Sequence, residues 1–313
     1  MKTAYPITEI QAFLTQLKSD NIPGSVAQLT EGHSSQVFSF ENTQKQRFVI
    51  RIRESKKDLD ADEYAFQHFS RDVPIPEVIE IGMFDSGVYY AITPFIEGET
   101  LKFLPKNLFD AALPSVKEAF AKTFRVDIST TSGYGDIDFT TGNAPASSWK
   151  ESLQNELKSL DIQSLQQSAK NISLPEGTVD ALVNQFTDNL PYVSEYRRLL
   201  HGDPGGDNVI VKDNVVIALI DWEQVAYGDW LRDFSRFELS GRHDYGNAHE
   251  FAETHNLESE HIPERKAVYW AINTLRDIEF ADKHHSGKVA EWVKKNLERI
   301  LLSSLHDTEK VKA

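Results

Sequence analysis

Apolar positions change their period along the chain, and the change divides it. Over residues 8–18, Ile10, Phe13, Leu14 and Leu17 recur at the spacing of one helix face, and Thr8 with Gln11 has the form of a capping box. Residues 26–30, 36–41, 47–53, 78–84 and 88–93 are instead short β-branched or aromatic runs separated by turn-like residues, which predicts an antiparallel sheet. One helical stretch, 59–70, interrupts them, and Pro74 with Pro76 ends any helix before the fourth strand.

After Gly98 the strand pattern nearly vanishes. Helical periodicity takes over around residues 114–126, 149–168, 177–190, 229–240, 247–255 and 263–305. The exception is 208–221, where Val209, Ile210 and Val211, then Asp213-Asn214, then Val215, Val216 and Ile217 describe a hairpin. The pattern predicts an α+β chain with a small antiparallel-sheet lobe over 1–97 and a mainly helical lobe over 98–313, with a hinge near 94–98.

Composition narrows the chemistry. Cysteine is absent, which removes disulfides, thiolate metal sites and a cysteine nucleophile. The N-terminus lacks the apolar run of a signal peptide and no run of about 18 apolar residues occurs, so a soluble, cytoplasmic enzyme without a membrane partner is expected. Asp and Glu outnumber Lys and Arg by 48 to 33, and the net charge of -15 repels nucleic acid while favouring a cationic ligand.

The chemistry concentrates in HGDPGGDN, residues 201–208, and IDWE, residues 220–223. Phosphoryl transfer needs a carboxylate near the acceptor hydroxyl and oxygen ligands that hold magnesium on the phosphates. Asp203 stands five residues before Asn208 on a loop kept compact by Pro204, Gly205 and Gly206, and Asp221 returns at the far end of the hairpin. One carboxylate and one amide carbonyl suffice for Mg2+ beside phosphate oxygens. A hydrolytic metal site built from His201, Asp203 and Asp221 is the alternative, but it leaves Asn208 and the N-terminal sheet without a role.

The HGD loop, the Asn five residues after its Asp, and the later Asp beside an aromatic residue resemble the aminoglycoside phosphotransferase family, relatives of the protein kinases. The passages LTEGHSSQVFSF, FVIRIRES, PIPEVIEIG, TTSGYG and HGD through IDWEQVAYGD carry the likeness furthest toward its hygromycin B phosphotransferases. The resemblance implies a two-lobed protein-kinase-like fold, with 1–97 as the nucleotide-binding lobe and 98–313 as the catalytic and acceptor-binding lobe, Asp203 as catalytic base or acceptor-orienting carboxylate, and Asn208 with Asp221 as magnesium ligands. His201 would structure the loop, and Asp233 would buttress it.

For the nucleotide, ATP or GTP, the resemblance places a phosphate-covering loop over 30–40, where Ser34 and Ser35 can contact phosphates. Arg51 stands where most relatives carry lysine; a guanidinium keeps the charge and binds phosphate in a fork. Glu63 would orient Arg51, while Pro94 and Ile96 would offer a carbonyl and an N–H to the base.

On the acceptor side, the short stretch between Asp221 and Asp229 leaves no room for a peptide platform, so a small acceptor is expected. Asp229 reads as a helix N-cap. Asp207, Glu223 and Glu238 are candidates for an acidic wall, with Trp222 or Tyr227 as a flat surface for sugar rings. The expected partner is a small cationic antibiotic or metabolite, acting on a monomer; choline, homoserine, a fructosamine or a macrolide are alternative acceptors. An inactive kinase-like binding protein would have lost Asp203, Asn208 or Asp221, and all three are present.

Overall fold

In the computed structural model, which describes residues 5–18, 20–29, 35–239 and 246–302, the elements follow the two periods read from the sequence. In chain order they are α1 (Ile7–Leu17), β1 (Asn21–Gln28), β2 (Gln36–Asn42), β3 (Arg47–Arg53), α2 (Lys56–Phe69), β4 (Glu80–Asp85), β5 (Val88–Pro94), β6 (Glu99–Thr100) and α3 (Lys106–Phe124). There follow β7 (Gly135–Asp136), α4 (Trp149–Lys158), α5 (Ile162–Asn171), α6 (Thr178–Asn189), β8 (Arg198–Leu200), β9 (Val209–Lys212), β10 (Val215–Leu219) and β11 (Ala226–Gly228). The chain continues through α7 (Leu231–Leu239), α8 (Ala248–His255), α9 (Ile262–Lys283) and α10 (Gly287–Leu301).

The alternating runs of the N-terminal third pair antiparallel in the order β1-β2-β3-β5-β4. Strand periodicity then sorts the side chains of β3: Ile50 and Ile52 enter the core with Phe38, Phe40, Val88, Tyr90 and Ile92, and α1 closes that face with Ile10 and Leu14. Arg51 and Arg53 alternate with those core residues, which puts both guanidiniums on the opposite face.

The chain gathers into two compact units, and the division differs from the one at residue 97 suggested by periodicity. One unit is Met1–Lys122 with Gly206–Val225; the other is Thr123–Gly205 with Ala226–Ala313. Hydrogen bonds explain why the hairpin joins the sheet unit. β6 pairs with β9 through Glu99 opposite Val211, Leu219 donates its N–H to the Pro74 carbonyl at 2.7 Å, and Val216 donates to Ser115 Oγ at 2.9 Å. Gly98 permits the approach, since a Cβ there would lie 2.8 Å from the Val211 carbonyl oxygen. At the hairpin tip Asp213 and Asn214 take φ of 51° and 64°, the pair of positive values that a two-residue type I′ turn requires.

In the other unit β7, β11 and β8 form a three-stranded sheet in the order β7-β11-β8. α9 is buried from Ile262 to Ala281 on more than one face, as a helix wrapped by neighbours must be. α5, α6, α7 and α10 pack against it.

Several boundaries differ from those read in the sequence. α1 starts at Ile7 after Pro6 with no side-chain cap, so Thr8 and Gln11 do not form a capping box. α3 begins at Lys106 and passes through Pro114, because the buried stripe Phe109, Ala112, Val116 and Phe120 continues across the proline. The run 149–168 is two helices, since Asp161 accepts the N–H groups of Gln163 and Ser164 and starts α5. The run 263–305 is likewise interrupted, with Ser286 capping α10.

Candidate functional site

In the sheet unit, the stretch after β10 meets the polar face of β3. Asp221 Oδ1 accepts from Arg51 at 2.9 Å, and Arg51 also pairs with Asp62 of α2. The acidic partner of Arg51 is therefore Asp62, not Glu63. Successive helix residues point about 100° apart, so a shift of one position decides which carboxylate faces the strand. Asp62 makes a second bond, accepting the backbone N–H of Trp222 at 2.8 Å.

Asp221 itself has φ 66°, a conformation costing a non-glycine residue about 1–2 kcal/mol. The bonds from both sides hold it there. Asn208 sits at the other end of the hairpin, where its carbonyl accepts the N–H of Ile220 at 2.9 Å, which keeps Asn208 beside the residue preceding Asp221. Burial lowers the Arg51 pKa, and Asp221 opposes that shift.

A magnesium ion fits this pair by donor chemistry. Asn208 and Asp221 offer an amide and a carboxylate oxygen, and among the described residues no group of three or more His, Asp and Glu forms a cage. A cation there would complete its coordination with phosphate and water oxygens, which magnesium favours.

Glu223 pairs with Arg53 at 2.7 Å, and burial, followed by the Asp221 charge, raises its pKa. Asp207 is more than half exposed and pairs with Lys102 at 2.6 Å. Trp222 is fully buried and its indole N–H donates to the Leu219 carbonyl, so it gives no sugar-stacking surface. Ser35 is buried, and Ser34 lies outside the described residues. Pro94 ends β5 opposite Phe48, and the segment leading to Ile96 is pinned by the Phe95 N–H on the Arg47 carbonyl at 2.9 Å. Arg47 also covers the Phe95 ring and pairs with Glu97 at 2.7 Å.

In the helical unit, β8 brings the buried Leu199 and Leu200 up to His201, which is itself fully buried. The Asp203 N–H points to His201 Nδ1 at 3.4 Å, so Nδ1 accepts and the ring shapes the loop. Gly202 between them has φ 85°, the left-handed conformation that glycine adopts freely. Asp233 of α7 accepts the N–H groups of His201 at 2.7 Å and Gly202 at 3.1 Å. Burial pushes the Asp233 carboxyl up to about 6. The Asp203 carboxylate, about one third exposed, lies 3.5 Å from Arg236.

Asp277 of α9 feels the charges of both Arg236 and Asp203, and burial lifts its carboxyl to about 6. Arg236 and Asp277 were invisible to motif reading, because they belong to different helices and carry no fixed spacing to the loop. Glu238 is mostly buried against Lys266 at 3.4 Å and so is already neutralised. Tyr227 is buried as well, with its hydroxyl on the Gly142 carbonyl and Arg197 over its ring, and offers no platform. Asp229 does more than cap: it accepts from the Leu231 N–H and forms a fully buried ion pair with Arg265 at 2.5 Å.

The phosphotransferase enzyme family model matches residues 25–248. The hygromycin-B 4-O-kinase of Escherichia coli is 31% identical over 227 residues, 71% of this chain and 63% of that enzyme's length. Among solved structures, a thermostable mutant of aminoglycoside phosphotransferase APH(4)-Ia, in ternary complex with AMP-PNP and hygromycin B, is similar with a TM-score of 0.80. Identity is 24%, and the similarity covers 96% of this chain and 100% of that one. The GDP and kanamycin complex of APH(2")-IIia has a TM-score of 0.65 at 15% identity, over 97% of this chain and 98% of that one. These similarities show a kinase-like fold, an antiparallel N-terminal sheet followed by a helical region.

Proposed function

Because the chain belongs to the phosphotransferase enzyme family, we propose that it transfers the γ-phosphate of ATP to a hydroxyl of an aminoglycoside, with hygromycin B as first acceptor and antibiotic resistance as the consequence. The observation that carries the reading is the presence of Asp203, Asn208 and Asp221 at their characteristic spacing in a chain 31% identical to a hygromycin-B kinase.

Asp203 accepts or orients the acceptor hydroxyl, with Asp233 fixing its loop and Arg236 steadying its carboxylate. Arg51, held by Asp62 and Asp221, contributes its fixed positive charge to binding the donor phosphates. Asn208 and Asp221 hold magnesium, which when bound neutralises charge on the phosphate oxygens. Among the described residues no helix is long and apolar enough to cross a membrane. The reading places a monomeric enzyme in the cytoplasm, where ATP and magnesium are available.

The test is phosphate transfer by purified protein with magnesium and either ATP or GTP. The acceptor panel comprises hygromycin B, other aminoglycosides, a macrolide, choline, homoserine and a fructosamine. Phosphorylated hygromycin B is the expected product. Transfer only to a non-aminoglycoside would move the acceptor assignment, and no transfer to any acceptor would overturn the reading.

A further inference from the structure

Two arginines, not one, face the acidic residues around Asp221. Arg53 is almost fully buried, and its guanidinium meets Asp58 at 2.5 Å, Glu223 at 2.7 Å and Asp221 at 4.0 Å. A buried guanidinium loses its hydration and persists only where carboxylates replace it.

The arrangement follows from two matching repeats. Residues two apart on a strand lie about 6.6 Å apart on one face. Residues four apart on a helix lie about 6 Å apart along its axis. Arg51 and Arg53 on β3 therefore match Asp62 and Asp58 on α2, rung for rung, and both rungs are occupied.

The two rungs reach the stretch after β10 by different routes. Asp62 holds the Trp222 backbone N–H, and Arg53 holds the Glu223 carboxylate. Asp221 lies immediately before these two anchored residues, in its positive-φ conformation. Arg51 contacts the Asp221 carboxylate directly and is itself less buried than Arg53.

We propose that Arg53 is a positioning residue for the metal-binding carboxylate: through Asp58 and Glu223 it fixes the backbone that presents Asp221, leaving Arg51 to engage nucleotide phosphate. The inference rests on the kinase reading above and adds a division of labour between the two arginines. Arg53 acts through Glu223 and touches no reacting atom.

The test is ADP binding by calorimetry, with magnesium and with a chelator, on the full chain and on Arg53→Gln, Arg53→Lys and Glu223→Gln. Removing Arg53 is expected to cut the magnesium-dependent tightening of ADP at least tenfold, while metal-free ADP affinity changes less than threefold. Arg53→Lys should fall between, because an ammonium keeps the charge but cannot span the same carboxylates. Glu223→Gln retains the buried cation and its Asp58 partner, so it tests the link even where Arg53→Gln does not fold, and a loss of the same kind is expected. Magnesium tightening within threefold of the parent in both Arg53→Gln and Glu223→Gln, or an equal loss of metal-free affinity, overturns the inference alone. A parent chain that binds no ADP under either condition overturns the kinase reading together with it.

Discussion

The carboxylate of Asp233 accepts the backbone N–H of His201 at 2.7 Å, a hydrogen bond between two residues with no solvent exposure. With the Gly202 bond, it ties the loop carrying Asp203 to α7.

This tie gives the first prediction. Burial lifts the Asp233 carboxyl from 3.8 to about 6, so its contribution to stability is greatest below 3.8 and is lost as pH rises through about 6. Activity runs the other way, because only the ionised carboxylate accepts both N–H groups. Turnover should fall as pH drops through about 6 without a matching loss of folded protein. Asp233→Asn should lower turnover about tenfold or more, the worth of a charge-assisted hydrogen bond of ~1.5–3 kcal/mol. A kcat/KM profile run beside thermal melts checks both; an unchanged acid limb in Asp233→Asn would sink the assignment.

Asp203→Asn should reduce turnover by roughly 10²–10⁴ if Asp203 is the base, with nucleotide KM little changed. Steady-state kinetics with both substrates varied separates these effects. Unaltered kcat would leave proton removal to solvent.

Arg265 and Asp229 are both fully buried and held at 2.5 Å. Arg265→Met should cost about 3–5 kcal/mol, because it strands a buried carboxylate. Adding Asp229→Asn should recover part of that loss. Denaturant midpoints for the two single variants and the double variant give the coupling; strictly additive losses would contradict it.

Lys102 masks Asp207 across an exposed pair, so Lys102→Ala should lower KM for a polycationic acceptor while changing stability by less than about 1 kcal/mol. Higher salt should raise that KM in the parent, since exposed attraction is screened. Acceptor titrations at two ionic strengths provide the measurement.

The core strands were legible because β3 and β5 are short runs rich in β-branched and aromatic residues, and the hairpin was legible because Asp213-Asn214 suits positive φ. The strands β6, β7, β8 and β11 were not, since two or three residues are too few to show a period. Asp203, Asn208 and Asp221 announced themselves through spacing in one short stretch. Asp62, Arg53, Arg236 and Asp277 did not, because their roles depend on which helix faces which strand or loop. Trp222 and Tyr227 show the converse limit: an aromatic side chain that suits a sugar suits a core equally well, and both are buried.

The hairpin's membership in the sheet unit has a consequence for biosynthesis. Gly206–Val225 belongs with Met1–Lys122 yet is translated after Thr123–Gly205. The nascent β6 must wait on the ribosome for β9 and β10, its partners in the three-stranded sheet β10-β9-β6, while part of the other unit emerges between. A gene split at residue 97 or 122 would therefore yield an N-terminal fragment without β9 and β10. Split-protein reporters and domain exchanges built on this chain need the hairpin grafted back beside β6, the strand it pairs with.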